Sequence, residues 1–322
     1  MATDFETIAS EQFGIIANAH PLPGYSDSNA RLEAEDGRSY TLKVSLAGTD
    51  PEVLDLQNRV LETLGTVRRL RVPEPIAALN GEMAVALADG SMARLLTWVP
   101  GRTFSAAGRP PSAVASIGRT AGEIAAALAD MEHPAADHRT EWDLRRAGDV
   151  ISHYTPAIRD RRRRTILDQV CLRIEAVDMD ALPQQVIHND LSDDNVLVDN
   201  EAVVGVIDVG DTVRSIRIGE AAIAAAYAML DQDDPVSVAV SLLDGFTEVV
   251  AVTDEEAHTL IDLISARLAT SVVMSAHHGA ANPHHVVSEA AAWDLLERLE
   301  TADRSKMATD LATAAATNRR IS

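Results

Sequence analysis

Val186-Ile187-His188-Asn189-Asp190-Leu191-Ser192-Asp193-Asp194-Asn195-Val196-Leu197-Val198-Asp199, followed closely by Val204-Gly205-Val206-Ile207-Asp208-Val209-Gly210-Asp211, decides how the chain reads. Asp190 ends one apolar run, Asn195 stands five positions on, and Asp208 ends the next apolar run. A single β-turn-β unit would present all three side chains to one point. Phosphoryl transfer to a hydroxyl asks for that convergence: an acid to accept the hydroxyl proton, then an amide and a second carboxylate to hold a divalent metal against the phosphates.

Length and composition bound the rest. At 322 residues the chain exceeds the size at which one hydrophobic core keeps growing, so two lobes are expected. No stretch of about 18 apolar residues lacks charge. Met1-Ala2-Thr3-Asp4-Phe5-Glu6 has no basic region before an apolar segment, so the chain reads as soluble and cytoplasmic, with no membrane partner. Cys171 is the single cysteine, which excludes an intrachain disulfide and reads as a small buried hydrophobe on a helix. A net charge of −21 speaks against non-specific nucleic-acid binding, which relies on Lys and Arg against phosphates. It suits a solvated acidic surface, or a field that draws a cationic substrate.

Lys43 and Lys306 are the two lysines among 28 cations, so Arg fills every other basic position and Lys43 asks for a reason. It lies in the alternating run Arg38-Ser39-Tyr40-Thr41-Leu42-Lys43-Val44, which follows Leu32-Glu33-Ala34 and the turn Asp36-Gly37, and the two runs read as a hairpin. A compact ammonium on the second strand holds phosphates as a point charge, where a forked guanidinium fits differently. Upstream, Leu22-Pro23-Gly24-Tyr25-Ser26-Asp27-Ser28-Asn29 is a polar turn whose Ser26, Ser28 and backbone amides can face an anion.

Pro51 to Leu64 carries Val53, Leu54, Leu56, Val60, Leu61 and Leu64 at helical spacing after a Thr49-Asp50 cap. Ile76 to Leu79, the turn Asn80-Gly81 and Met83 to Leu87 read as a second hairpin. Ala93 to Gly101 reads as a strand leaving the first lobe, ended by Pro100 and Gly101, with backbone near Leu96 open to a purine edge and Trp98 able to wall the base. Beyond it, helical spacing marks Ser112 to Met131, Trp142 to Tyr154, Thr165 to Val177, Ile216 to Leu230, Val236 to Val250, Asp254 to Ser275 and Ser288 to Glu300. The basic run from Arg159 to Arg164 reads as a solvated helix start. His277, His278, His284 and His285 flank a turn without carboxylate or cysteine, so a bend at the rim of the substrate cleft is expected there and not a metal site.

The two opening blocks resemble the aminoglycoside phosphotransferase and choline kinase-like superfamily, whose loops read His-Gly-Asp-x-x-x-x-Asn and Ile-Asp-Phe-Gly-Asp. Asn189 stands at the usual Gly and Val209 at the usual Phe, both read as changes of loop packing. Within the superfamily the chain is most similar to hydroxylysine kinases and to the phosphotransferase region joined to class III aminotransferases, through Asp208 to Ser215, Ala221 to Leu230, Arg94 to Thr97, Glu141 to Leu144, and Arg267 to Ser275 with Ser288 to Trp293. The resemblance implies a bilobal, protein-kinase-like α+β fold, with a β-rich nucleotide lobe at 1–98 and a helical lobe at 99–322.

It further implies Mg2+-dependent transfer from ATP or GTP to a hydroxyl of a small cationic amino-alcohol or hydroxy-amino acid. Asp190 would be the base, Asn195 and Asp208 the metal ligands, and Lys43, Ser26, Ser28, Leu96 and Trp98 the nucleotide contacts. Asp193, Asp194 and Asp211 are candidates for a substrate ammonium. His188 would prop the loop and Glu220 brace its backbone, while Gln57 stands where the family carries the Glu paired to the strand lysine. An aminoglycoside or homoserine-type acceptor is the alternative within this chemistry. A nucleotide-binding pseudokinase is the alternative outside it, favoured by Gln57 and Asn189 and opposed by Lys43, Asp190, Asn195 and Asp208 together.

Overall fold

The computed structural model describes residues 3–24, 27–199, 201–278 and 283–319, and their side chains except at 283–288 and 317–319. α1 (Phe5–Phe13) starts on Asp4, whose carboxylate accepts from Thr7 N at 3.1 Å. β1 (Ala17–Leu22), β2 (Ser28–Ala34) and β3 (Ser39–Val44) then form an antiparallel meander. Period-2 alternation sorts its two faces. Ala30, Leu32, Tyr40, Leu42 and Val44 pack with Ala9 and Phe13 of α1, while Asn29, Thr41 and Lys43 take the other face.

α2 (Pro51–Leu64) has Pro at its first turn and Asp50 Oδ1 accepting from Glu52 N at 3.0 Å. Its buried Leu56, Val60, Leu61 and Leu64 belong to the large core that runs through the helical part, and not to the small core under α1. β4 (Pro75–Ile76) and β5 (Val85–Ala86) do not pair with each other as the sequence suggests. The Asn80-Gly81 turn forms, with Gly81 N donating to Ala78 O at 2.9 Å. Both short strands instead lie against β6 (Met92–Thr97), whose Ala93, Leu95 and Leu96 are buried and whose other neighbour is β3.

The helical part comprises β7 (Arg102–Thr103), α3 (Val114–Ala127), α4 (Ala147–Tyr154), α5 (Arg161–Glu175), β8 (Gln184–Ile187), β9 (Val196–Asp199), β10 (Ala202–Val206), β11 (Val213–Ile216), α6 (Gly219–Ala228), α7 (Pro235–Thr247), α8 (Asp254–His278), α9 (Pro283–Thr301) and α10 (Arg304–Arg319). The arginine run does open α5, on an Asp160 cap. The segment from Ile216 begins later as helix, because Val213–Ile216 pairs with β8. Helix α4 starts only at Ala147, since Asp143 caps a separate 3-10 turn. α1 and α10 lie outside the expected helices.

α8 is long and apolar, and 72% of its most apolar window is buried within the fold, so its hydrophobicity is satisfied by packing. α3 and α7 approach so closely that a Cβ on Gly118 would sit 1.8 Å from Leu242 O, which only glycine avoids. The strands around the opening motif depart from a single β-turn-β unit. β8 pairs with β11, whereas β9 pairs with β10 and β7, so residues 188–195 bridge two sheets. Asn195 and Asp208 still line one cavity, and Ile207 N donates to Asn195 O at 2.9 Å beyond the β9–β10 hairpin.

Candidate active site

A cavity of about 820 Å³ lies between the sheet and the helical part, lined by Lys43, Trp98, Asp190, Asn195, Asp208 and Arg267 among others. Lys43 projects from the cavity face of β3 and donates to Asp208 Oδ1 at 2.6 Å, with Asp27 at 3.8 Å. Desolvation would raise the Asp208 carboxyl, but Lys43 outweighs it, aided by Gly210 N–H at 3.2 Å, and the group is held below its ordinary range. Asp208 sits at φ 57, a left-handed turn that aims its carboxylate back at the lysine.

Asp190 is gripped from two sides. Arg267 Nη2 donates to its Oδ1 at 2.7 Å and Asn195 Nδ2 to its Oδ2 at 2.5 Å. Burial pushes the carboxyl up to about 7; Arg267 pulls against this, and Asp211 and Asp208 add to it. Below the loop, His188 is fully buried and its Nδ1 accepts from Asp190 N at 3.3 Å. Burial lowers that imidazole to about 4, so it is neutral. Glu220 Oε1, also fully buried, accepts from Asn189 N at 3.0 Å, and burial raises its carboxyl to about 7.

The other sequence candidates divide. Asp193 is buried and bound by Arg109 through Nε at 2.7 Å and Nη2 at 2.6 Å, while Asp194 is exposed and accepts from Ser105 at 2.5 Å. Asp211 lines the cavity, its carboxyl raised to about 6 by burial. Leu96 and Trp98 line it too, although Leu96 is paired within the sheet on both sides and Trp98 N donates to Ser39 O at 3.2 Å. Ser26 lies outside the described residues, as do residues 279–282 and the side chains of His284 and His285, on which the expected bend at the cleft rim falls. Ser28 opens β2 opposite Val44, and the cavity takes Gly24 and Asn29 in its place. A Cβ at Gly24 would sit 2.2 Å from Asp27 O, so the turn closes only around glycine.

Gln57 departs from the role the family pattern gives its position. Its Oε1 accepts from Arg94 Nη2 and its Nε2 donates to Gly210 O at 3.1 Å, while the carboxylates beside Lys43 are Asp208 and Asp27. Arg94, Arg109 and Arg267 were not singled out from sequence as site residues. Arg94 and Arg267 each leave the same signal, a lone cation inside an otherwise apolar strand or helix run: Met92–Thr97 for one and Leu263 to Ala269 for the other.

Residues 19–260 match the phosphotransferase enzyme family. Hydroxylysine kinase of Mus musculus is 27% identical over 320 residues, covering 88% of this chain and 85% of that protein. Homoserine kinase of Zymomonas mobilis is 26% identical over 247 residues, covering 75% and 74%. Among solved structures, an amicoumacin kinase in complex with AMP-PNP and Ca2+ superposes with a TM-score of 0.71 at 13% identity, over 95% of this chain and 97% of that one. With Lys43, Asp190, Asn195 and Asp208 all inside the matched span, the chain belongs to the phosphotransferase enzyme family.

Proposed function

We propose that the protein is a small-molecule kinase that transfers the γ-phosphate of ATP or GTP to a hydroxyl of an amino-alcohol or hydroxy-amino acid of the hydroxylysine type. One observation carries the reading: the Lys43–Asp208 pair and the Arg267–Asp190 pair line the same cavity, so a phosphate-binding cation and a proton acceptor serve one ligand space. The similarity to hydroxylysine and homoserine kinases supports the acceptor class.

In this reading the substrate hydroxyl enters beside Asp190, gives its proton to that carboxylate, and its oxygen attacks the γ-phosphorus as the nucleoside diphosphate leaves. A carboxyl raised to about 7 suits a base working near neutrality. Lys43 holds phosphate charge from β3. Asp208 and Asn195 offer a carboxylate and an amide oxygen from adjacent backbone, the hard donor set that suits Mg2+ when nucleotide phosphates complete the coordination. Bound there, Mg2+ would offset the negative charge of the phosphates. His188 and Glu220 hold the loop that carries Asp190. Asp211 is the acid best placed for a substrate ammonium, since Asp193 is ion-paired with Arg109 and Asp194 accepts from Ser105 at 2.5 Å. Among the described residues the Asp211 carboxylate, which lines the cavity, has only a long 3.5 Å bond from Thr140 and no ion pair. Leu96 and Trp98 wall the base, and Gly24 and Asn29 border the phosphates. The nucleotide lobe ends at Trp98 and the substrate lobe begins at Val99.

The test is a transfer screen with ATP and GTP over hydroxylysine, homoserine, aminopropanol and an aminoglycoside, read by mass spectrometry of the acceptor. A phosphate ester on one of the first three is expected. No transfer from either nucleotide to any acceptor would remove the reading.

A further inference from the structure

Arg94 is an anomaly of charge. It stands directly opposite Lys43 in the β3–β6 register, lines the cavity and is 3% exposed. Its guanidinium contacts only neutral oxygens of α2: Gln57 Oε1 with Nη2, and Asn58 Oδ1 at 3.2 Å and Leu54 O at 3.5 Å with Nη1. No carboxylate lies within ion-pair distance of it among the described residues. Burial pushes the group down, and the more distant Asp27 and Asp208 pull it up. A guanidinium nonetheless stays charged in a protein. A buried charge without a counter-charge in contact is costly to keep, and a polyphosphate in the cavity that Arg94 lines would compensate it.

We propose that Arg94 is a second cation of the nucleotide polyphosphate site, and that the neutral amide at Gln57 keeps its charge available to the ligand. This rests on the kinase reading and deepens it. Lys43 and Arg94 carry two positive charges beside the two negative charges of Asp27 and Asp208. Once a divalent cation engages Asp208, Asp27 is the one carboxylate still beside the two basic groups, and the phosphates meet a net positive site. A glutamate at 57 would land on Arg94, not on Lys43, because Arg94 is what position 57 touches. The result would be a closed ion pair in place of a phosphate site, the opposite of the repair that the family pattern suggests.

The deciding comparison is Gln57→Glu against Gln57→Met. Both lose the bond to Gly210 O, and only the first adds a negative charge. Calorimetry with Mg2+ would measure binding of the nucleoside triphosphate the wild type prefers, ATP or GTP, and of the matching nucleoside. Gln57→Glu is expected to bind the triphosphate about ten- to hundredfold more weakly than Gln57→Met, the range of one charge-assisted contact, with equal nucleoside affinity. Arg94→Met should show the same selective loss and Arg94→Lys recover part of it. Triphosphate affinity in Gln57→Glu equal to or above that in Gln57→Met overturns the proposal, whatever the Arg94 variants do. A wild type that binds neither triphosphate overturns the kinase reading beneath it.

Discussion

Arg267 Nη2 lies 2.7 Å from Asp190 Oδ1, on a guanidinium that is 2% exposed and stacked 4.5 Å from the ring of Trp142. Burial raises both the Asp190 and the Asp211 carboxyl, and the charge of Arg267 opposes that rise at each.

Asp190→Asn keeps the shape and removes the carboxylate proposed as proton acceptor. Turnover is expected to fall by about 10²-fold or more with nucleotide affinity nearly intact. With its carboxyl raised to about 7, wild-type kcat/KM should climb through neutrality to an alkaline plateau. Arg267→Gln should move that limb to higher pH, because the group that lowers the carboxyl is gone. A limb that stays put in Arg267→Gln separates the limb from Asp190.

Asp208→Ala should abolish Mg2+-dependent nucleotide binding by calorimetry, while Asp199→Ala, at the exposed end of β9, should leave it unchanged. Chelation of the metal from wild type should mimic the first variant. Equal losses in both variants would put the metal elsewhere.

Asn189 holds φ 66, with its side chain donating to Asp211 O at 3.1 Å. Asn189→Gly relieves the backbone and loses one bond, so stability should change little. Asn189→Val forces a β-branched residue into the left-handed region and should destabilise by about 1–3 kcal/mol in denaturant titration. Equal midpoints for the two variants would mean the loop relaxes freely.

Glu220 carries a carboxyl raised to about 7 from 4.5, so the folded state binds its proton more tightly than the unfolded state. Stability from this group therefore falls as pH rises from about 4.5 to about 7 and is level above. Glu220→Gln lacks the titration. Its melting temperature should match wild type near pH 4.5 and exceed it at pH 8, and parallel curves across that range would show that Glu220 is charged throughout.

Much of this site was legible because its motif residues sit at strand ends, where alternation and β-branching are easy to see. Asn189 was read as a packing change; its positive φ gives the physical reason, since Asn is the side chain that best replaces Gly there. The pairings were harder. Residues 76 and 85 are close in sequence and separated by a good turn, yet both join β6, because the longer apolar strand offers the better partner. Gln57 was assigned by order along the chain, and order does not reveal that Arg94 reaches α2 first. The same limit hid Arg267 and Arg109, whose partners lie 77 and 84 positions away.

The apolar stripe of α2, sunk into the large core, ties the N-terminal sheet side to the helical part in a way that chain order does not. Leu56, Val60, Leu61 and Leu64 cannot leave that core without exposing it, so the backbone amides of α2 should exchange with solvent on the schedule of α3 and α8 and not with β1 and β2. The cooperative units of opening then cut across the numbering: the meander can fray while the helix that follows it stays protected, keeping Gln57 against Gly210 through those excursions.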